Sequence, residues 1–486
     1  MREQLPALEH VVVLTGTADG AITLADLRSR GDASVADARV PAVGAEDTAT
    51  IVYTSGTTGP PKGCVLSHAN LLYTAGAYID RLELRAAPPV IFQYLPLAHV
   101  LARMVSFVAL ETGGTLCFWG GDTANLAADI AEAQPTHIPT VPRLLEKIHT
   151  RVLGTATAAG GLKAAIFTRA LATGERVAAA RRSGGKVGLL DRVRHTAGDR
   201  LALSRIRAAL GPHDPILITG AAPISTEVIE FFYACGVPVL EGYGMTETCA
   251  AATLNTLKEV RVGSVGRPLP GTEVSIAADG EVLMRGPHVF KGYHRNEQAT
   301  AEILQDGWLH SGDLGKIVDG YLHITGRKKD LIITSSGKNV SPELLESALR
   351  ETPWISQAIV AGDRRSYLVA LVTLDPDEAP KLAAELGVAP DIAAMASDEN
   401  VRAAIWKDIE AVNQRFARIE QIKRFAILPR ELSQDEGELT PTLKVKRAVV
   451  YDKYAPEVSA LSRTSGETFL PDEVMIRSFL RPVMCR

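Results

Sequence analysis

The sequence from position 54 to position 63 is Thr-Ser-Gly-Thr-Thr-Gly-Pro-Pro-Lys-Gly. It follows a β-prone apolar run at Ala49–Tyr53 and precedes another at Cys64–His68, so it is predicted to be a loop between two strands. Its three glycines allow the backbone to approach a ligand closely, and its four hydroxyls and one lysine suit phosphate oxygens. The stretch therefore predicts a loop that holds a polyphosphate.

This loop does not fit the Walker A template, in which a Gly-Lys-Ser/Thr sequence opens a helix. Here Pro61 precedes Lys62 and Gly63 follows it. A flexible surface loop is the alternative interpretation of a Gly/Ser/Thr cluster, but the paired prolines and the embedded lysine favour phosphate binding. The loop is thus predicted to bind phosphate in a different way from P-loop proteins.

Composition indicates a globular protein of several domains. The chain has 486 residues with 22% charged and 46% hydrophobic residues, and its net charge of -4 argues against nucleic-acid binding. The five cysteines are dispersed without a Cys-x-x-Cys pair, which favours reduced thiols in a cytoplasmic compartment and argues against zinc. The segment Met1–Pro6 does not resemble a signal peptide, and no apolar run is long enough to span a bilayer. Any membrane contact is expected to be peripheral.

The order of helical and extended patterns predicts an α/β fold. Strands alternate with helices in the first part of the chain, which favours a large N-terminal domain, residues 1–326, with a largely parallel sheet. Residues 142–211 are helical and locally basic, which is typical of a solvated helical face, with an acyl or membrane-facing role as the alternative. Residues 260–326 predict a small β-rich subdomain. A smaller α+β domain is expected at 327–455, and no role is predicted for the tail, 456–486.

A second candidate stretch is Gly242–Thr248, which follows a predicted strand. Ligands gather beyond the carboxyl ends of strands in open α/β sheets, so Tyr243 is a candidate to stack on a base. Thr246 is a candidate phosphate ligand, and Glu247 is a hard oxygen ligand for Mg²⁺. Asp313 is placed to accept two ribose hydroxyls. Each residue alone also has a structural interpretation, because such residues are common in tight turns and caps.

Taken together, these stretches resemble the adenylate-forming superfamily of acyl-CoA synthetases, luciferases and peptide-synthetase adenylation domains. The resemblance covers nearly all of residues 1–454, and the combination of motifs is highly specific. The motifs that carry it are, in chain order, Tyr53–Gly63, Gly242–Thr248, Gly307–Gly315, Gly326–Asp330 and Lys444.

Within this superfamily the chain resembles the long-chain fatty acyl-CoA synthetases. That resemblance rests on the Tyr94–His99 motif, the helical insert between Pro142 and Gly211, the Thr219–Ser225 stretch and the Leu439–Arg447 stretch. In the last of these stretches Leu443 precedes Lys444, as in the long-chain group. Superfamily members that use shorter acids typically have glycine at this position. The resemblance implies activation of a long-chain fatty acid by ATP to an acyl-AMP, release of pyrophosphate, and transfer to coenzyme A.

The resemblance also implies roles for individual residues. Glu247 would bind Mg²⁺, Thr246 would bind the α-phosphate, and Lys444 would bridge the fatty carboxylate and the α-phosphate. A hinge would lie at Lys329, and Gly337 would leave room for pantetheine. The catalytic set is therefore Lys444, Thr246, Glu247 and Lys62. Lys62 with Thr54, Ser55, Gly56, Thr57 and Thr58 would hold the β- and γ-phosphates. Ala222 and Tyr243 would hold the adenine, and Asp313 and Arg327 would hold the ribose. The other predicted cofactor-binding residues are Gly59, Gly220, Ala221, Gly244, Lys329 and Gly337.

Three interpretations remain open at the level of sequence. The first is a fatty acid–CoA ligase, and the second is a fatty acyl-AMP ligase that loads a carrier protein, although the stretch Val262–Val274 contains no obvious extra insert. The third is a non-catalytic remnant, because family members usually have a longer region before the equivalent of Val11–Leu14. The presence of Lys444 and Glu247 favours an enzyme. The basic residues around Lys444 also permit a merely solvated strand or turn.

Overall fold

The computed structural model describes residues 5–54, 61–122, 125–211, 213–440 and 444–462. They form a mixed α/β protein with a large N-terminal domain and a smaller C-terminal domain, as predicted. In the described part of the chain, no helix is both long and apolar enough to cross a membrane.

The large domain contains short strands and mostly short helices. Its strands are β1 (Val12–Val13), β2 (Ile22–Thr23), β3 (Thr48–Thr54), β4 (Lys62–Ser67), β5 (Val90–Gln93), β6 (Thr115–Phe118), β7 (His137–Thr140), β8 (Ile216–Thr219), β9 (Val239–Met245), β10 (Ala250–Leu254), β11 (Arg267–Pro268), β12 (Glu273–Ile276), β13 (Glu281–Arg285), β14 (Gly292–Tyr293), β15 (Leu304–Gln305), β16 (Trp308–Val318) and β17 (Tyr321–Arg327). Its helices are α1 (Leu24–Ser29), α2 (Ala33–Arg39), α3 (His68–Arg81), α4 (Val100–Thr112), α5 (Leu126–Ala133), α6 (Pro142–Ala158), α7 (Gly161–Arg182), α8 (Leu189–Gly198), α9 (Ser204–Ala209), α10 (Thr226–Ala234) and α11 (Glu297–Ile303).

Among the described residues the largest sheet has seven strands in the order β11-β10-β9-β8-β7-β5-β6. The strands β6, β5, β7, β8 and β9 are parallel, and β10 and β11 run antiparallel to their neighbours. The carboxyl ends of the parallel strands therefore meet at one edge, where ligands of open α/β sheets bind. Gly220 and the Gly242–Met245 segment lie at this edge.

Besides the short parallel pair of β1 and β2, the described part of the large domain contains two antiparallel sheets. One consists of β14, β4 and β3, and the other of β12, β13, β16 and β15 with β17 on β16. Buried side chains from these sheets join those of α3 and α4 in one core, including Leu66, Ile79, Met104 and Val282. Helix α3 begins at a capping box in which Ser67 and Asn70 exchange hydrogen bonds, so the end of β4 is coupled directly to the helix.

The smaller domain is an α+β unit with its own core. Its central sheet consists, in order, of β20 (Ile355–Ala361), β21 (Leu368–Leu374) and β22 (Ile422–Leu428). Every residue of the Leu368–Leu374 strand is buried, since helices cover both faces of the sheet. The elements are β18 (Ile332–Ile333), β19 (Asn339–Val340), α12 (Pro342–Leu349), β20 (Ile355–Ala361), β21 (Leu368–Leu374), α13 (Ala379–Leu386), α14 (Ile392–Met395), α15 (Glu399–Asn413), β22 (Ile422–Leu428), α16 (Arg447–Lys453) and α17 (Ala455–Ser462).

Three local expectations differ from the structure. The apolar Val11–Leu14 stretch predicts a short buried strand, but only Val12–Val13 is extended and Leu14 is 75% exposed. The residues Gly242–Met245 continue strand β9 instead of forming a turn after it. Asp313 lies within the long strand β16 and not in a turn, because pairing with β13 and β17 keeps the backbone extended on both sides of Gly312.

Candidate active site

The predicted phosphate loop connects the antiparallel strands β3 and β4, as expected. Thr54 pairs with Lys62 in the ladder, and the Thr54 hydroxyl donates a 3.3 Å hydrogen bond to the Lys62 carbonyl. The Lys62 ammonium lies 5.0 Å from the centroid of the Tyr293 ring. The hairpin thus holds this lysine against an aromatic face. The predicted ligands Ser55, Gly56, Thr57, Thr58 and Gly59 lie outside the described residues.

Glu247 contacts the same tyrosine as Lys62. It follows β9 in the 3₁₀ turn Thr246–Thr248, and only 6% of it is exposed. The Tyr293 hydroxyl donates a 2.6 Å hydrogen bond to Glu247 Oε1. Burial first, and then the Glu247 charge, raise the pKa of the Cys64 thiol far above its usual range, so this cysteine stays neutral. Glu247 is therefore a buried carboxylate whose orientation is fixed by Tyr293.

A Mg²⁺ ion bound with a nucleotide needs fewer protein ligands than a structural metal ion does. Within the described ranges, no group of three or more His, Cys, Asp or Glu side chains is placed to hold a metal. Mg²⁺ commonly binds one or two carboxylates and completes its shell with phosphate oxygens and water. The single oriented carboxylate of Glu247 fits that pattern.

Asp313 forms the centre of a second polar group. Its Oδ2 accepts a 2.8 Å hydrogen bond from the Tyr243 hydroxyl, and its Oδ1 accepts one of 2.8 Å from Arg327 Nε. The aspartate is 6% exposed, and it pairs with Arg327 across β16 and β17. Burial of Arg327 opposes the charge of its guanidinium, but the Asp313 carboxylate raises the pKa of Arg327 above its ordinary value. Burial and Asp313 also raise the pKa of Tyr243, which keeps the phenol protonated and donating.

The backbone at the sheet edge is packed too tightly for side chains. A Cβ on Gly220 would lie 2.7 Å from the Gly242 carbonyl oxygen, and one on Gly244 would lie 1.9 Å from the Ala250 carbonyl oxygen. Ala221 and Ala222 follow on the exposed side, and Ala221 has a φ of 69°, which a non-glycine residue seldom adopts. The tightly packed glycines are therefore followed by an exposed segment, Ala221–Ala222, at the same edge of the sheet.

Lys444 reaches the site from the smaller domain. Its backbone N–H donates a 3.0 Å hydrogen bond to Thr440 Oγ1, and its carbonyl accepts a 2.8 Å bond from the Thr440 N–H. Leu439 and Val445 form a bridge at the base of this loop. Lys444 is exposed to solvent, although protein groups lie close enough to lower the pKa of its ammonium.

Charged groups of the candidate site interact electrostatically with Lys444. Burial and then Arg327 lower the pKa of this lysine, whereas Asp313, Glu343 and Glu247 act in the opposite direction. Lys444 in turn contributes, after burial, to lowering the pKa of His99 in the Tyr94–His99 motif. Groups from distant parts of the sequence therefore converge on one lysine.

Arg447 differs from the solvated basic residue that the sequence permitted. It donates two hydrogen bonds of 2.6 and 2.5 Å to the carboxylate of Glu346 on α12, and Asp330 lies 3.7 Å from its Nε. Burial opposes the charge, but Glu346 raises the pKa of Arg447 well above its ordinary value. The bidentate pair fastens the chain three residues after Lys444 to the body of the smaller domain.

We expect Glu346→Gln to lower the free energy of unfolding of the smaller domain by about 3 kcal/mol, because it leaves a buried arginine without its counter-charge. Chemical denaturation followed by circular dichroism measures this loss. Lys381→Gln breaks the exposed pair with Glu378 and should cost under about 1 kcal/mol. Equal losses for the two variants would contradict the assigned role of the Arg447 pair.

Ion pairs also join the two domains directly. Arg415 bridges Glu227 of the large domain at 3.1 Å and Glu351 of the smaller domain at 2.6 Å. Three further pairs connect α6 to the smaller domain. They are Arg143–Asp375 at 3.6 Å, Lys147–Asp377 at 2.9 Å and Arg350–Glu146 at 3.5 Å.

This interface predicts a pH-dependent domain closure. Burial, followed by the hydrogen bond and charge of Glu351, raises the pKa of Glu227 to about 7, against the lowering effect of Arg415. A carboxyl whose pKa is raised on closure binds its proton more tightly in the closed form. The stabilisation is therefore present at acidic pH and is lost as pH rises through about 7.

Fluorescence energy transfer between labels on the two domains, measured across this pH range, should report less closure at alkaline pH. Glu227→Gln should remove most of the pH dependence. Glu297→Gln, on an exposed helix of the same domain, is the matched control and should leave it in place. A pH-independent distance in the unmodified protein would refute the linkage.

Sequence reasoning identified most of this cluster but missed some members. Tyr293, which orients Glu247, belongs to no recognised motif, and His99 was noted only as part of a family stretch. Lys329 is exposed in the turn after β17, and Gly337 lies in a turn with φ of 75° and no atom within 4 Å of a built Cβ. The hinge and pantetheine roles of these two residues remain predictions.

Comparison with known proteins agrees with this geometry. Residues 2–294 match the family described as AMP-binding enzyme, and residues 329–465 match the AMP-binding enzyme C-terminal domain. The chain is 40% identical over 464 residues to long-chain-fatty-acid–CoA ligase FadD15 of Mycobacterium tuberculosis, covering 94% of this chain and 76% of that protein.

Solved structures share the fold. The A-PCP didomain of a carboxylic acid reductase from Segniliparus rugosus, in complex with AMP, has a TM-score of 0.65 at 22% identity, over 86% of this chain and 53% of that one. O-succinylbenzoate coenzyme A synthetase from Bacillus subtilis, in complex with ATP and magnesium, has a TM-score of 0.58 at 23% identity, over 84% of this chain and 70% of that one. The matched families span both domains, and the chain therefore belongs to the AMP-binding enzyme family.

Proposed function

We propose that the chain is an AMP-forming long-chain fatty acid–CoA ligase. The observation that carries the proposal is that Lys444 of the smaller domain interacts electrostatically with Glu247 and with the hydrogen-bonded pair of Asp313 and Arg327. The similarity to a ligase named for long-chain fatty acids supports the substrate class. ATP, coenzyme A and a fatty acid are the expected substrates.

The chemistry explains why such a site needs cations. A carboxylate is a poor electrophile, and conversion to an acyl-AMP anhydride supplies a good leaving group. The transition state of that step gathers negative charge on the α-phosphate, so fixed cations and hydrogen-bond donors lower its energy. Lys444 would contact both the attacking carboxylate oxygen and the α-phosphate, since a lysine ammonium is a compact point charge with three donors.

The other residues would hold the nucleotide. Asp313 would accept the ribose hydroxyls while Tyr243 and Arg327 keep its carboxylate fixed. The exposed segment Ala221–Ala222 and the ring face of Tyr243 would contact the adenine. Thr246 would donate to the α-phosphate, and Lys62 would neutralise the departing pyrophosphate together with the loop that precedes it.

Mg²⁺ would bind at Glu247, whose carboxylate is oriented by Tyr293. An ion held there would supply positive charge that offsets the negative charge of the nucleotide phosphates. The protein's own contribution is to position Glu247 through Tyr293, whose ring also lies near the Lys62 ammonium, while the neighbouring Cys64 thiol stays protonated.

Transfer to coenzyme A would require Lys444 to leave the site. We propose that the smaller domain turns about Lys329, which would break the interdomain ion pairs and expose a path lined by Gly337. Hinges of this kind concentrate the backbone change in very few residues. The side chain that serves the first half-reaction would thereby be removed before the thiolate attacks the acyl-AMP.

The decisive experiment is acid-dependent exchange of labelled pyrophosphate into ATP, measured over fatty acids of increasing length. Thioester formation with coenzyme A is then measured separately. Exchange with long-chain acids followed by thioester formation supports the ligase, and no exchange with any acid would refute it. Exchange without thioester would instead assign the chain to acyl transfer onto a carrier protein.

A further inference from the structure

Helix α8 presents large apolar side chains to solvent. Leu189 is 78% exposed, Leu190 61% and Val193 61%. These residues are spaced at i, i+1 and i+4, so at 3.6 residues per turn they share one face of the helix. The opposite face packs on α7, where Asp191 is bound by Arg176 at 2.9 Å. Because α7 holds the opposite face of α8, the apolar face is directed to solvent.

Residues 181–201, which include helix α8, are strongly basic although the whole chain carries a net charge of -4. Its two acidic residues between positions 181 and 201, Asp191 and Asp199, are each paired with an arginine of another element. Exposed basic residues thus dominate the surface, and none of them forms a salt bridge within the part of the chain that the structure describes. They are Arg181, Lys186, Arg192, Arg194 and Arg200.

Arg192 and Arg194 flank the apolar stripe on its two sides, because they are one residue away from Val193 in each direction. Apolar side chains framed by basic ones on a surface helix are typical of helices that lie in a membrane interface. The apolar residues enter the acyl region, and the arginines contact lipid phosphates. Three exposed aliphatic side chains at the centre of this surface would not contact nucleic-acid phosphates, so their presence favours lipid over nucleic acid as the partner.

We propose that the outer face of α8, with Leu189, Leu190 and Val193 framed by Arg192 and Arg194, docks the protein onto an anionic lipid bilayer. The expected attachment is reversible, since one short helix buries little apolar area. The inference stands on the α8 surface alone. If the proposed function is also correct, the enzyme takes its acid from the bilayer in which a long-chain fatty acid dissolves.

The test is flotation of the full chain with phosphatidylcholine vesicles that contain or lack phosphatidylglycerol. The unmodified protein should float with the anionic vesicles, and added salt should weaken the association. The double variants L189Q/V193Q and R192E/R194E should each reduce the apparent partition coefficient about tenfold or more. Exchange of pyrophosphate into ATP with a short, water-soluble acid should remain unchanged in both.

Matched controls come from exposed residues elsewhere. Leu72→Gln changes a leucine 59% exposed on α3, and Arg364→Glu reverses an arginine 93% exposed in the smaller domain. Both should float like the unmodified protein. Equal flotation of the α8 variants would overturn the proposal, as would absence of binding to anionic vesicles. Binding to RNA in place of vesicles, or a dimer that L189Q/V193Q dissociates, would assign this face to a different partner.

Discussion

Lys444→Ala should abolish pyrophosphate exchange, with a loss of about 10²- to 10³-fold or more, while thioester formation from supplied acyl-AMP stays within a few-fold of the unmodified enzyme. The reason is that Lys444 interacts electrostatically with Asp313, Arg327 and Glu247, and in the proposed mechanism it stabilises charge that develops on the α-phosphate only during adenylation. Removing a group that stabilises only that transition state lowers the rate constant for adenylation more than it weakens substrate binding.

Lys446→Ala is the matched control, because Lys446 lies in the same segment and is fixed through its backbone N–H to the Glu438 carbonyl. It should leave both half-reactions nearly unchanged. Equal loss of both half-reactions in Lys444→Ala would contradict the assigned role and would indicate damage to the loop. Circular dichroism of each variant should be identical, since neither side chain belongs to a buried cluster.

Glu247→Gln should reduce adenylation about a hundredfold and raise the Mg²⁺ concentration needed for half-maximal rate at least tenfold. Glutamine keeps the shape of the side chain and can still accept the hydrogen bond from Tyr293, so the substitution removes mainly the charge. Titration of exchange activity with Mg²⁺ at saturating ATP measures both changes.

The control is Glu302→Gln on the exposed surface of α11, which should not alter the Mg²⁺ dependence. A Glu247→Gln enzyme with a lower rate but an unchanged Mg²⁺ requirement would contradict metal binding at this carboxylate. Tyr293→Phe provides a graded test of orientation. It should give a smaller loss than Glu247→Gln, because the carboxylate keeps its charge but loses a donor.

The fold class and the superfamily could be predicted because their signals are local. The hairpin around residues 54–63 and the strand Ile216–Thr219 follow from β-prone runs bounded by glycine and proline. The motif order then identified the family that the comparisons confirm. The long-chain resemblance agrees with the named relatives in the same way.

What the sequence did not reveal depends on contacts between distant residues. Tyr293 hydrogen-bonds Glu247 across 46 positions, and Arg447 meets Glu346 across 101. No periodicity or spacing encodes such pairs, so Arg447 was indistinguishable from a solvated arginine. The extended conformation at Asp313 was missed for a related reason, because its neighbours in β13 and β17 override the turn preference of Ser-Gly-Asp.

Gly244 has a consequence for how mutational maps of this protein are interpreted. A Cβ there would lie 1.9 Å from the Ala250 carbonyl oxygen, so every substitution collides with the neighbouring strand β10. In a saturation screen this position would score as intolerant even if no nucleotide ever touched it. Intolerance at Gly244 therefore reports strand packing, whereas only positions such as Lys444, which tolerate substitution structurally, distinguish selection for chemistry from selection for folding.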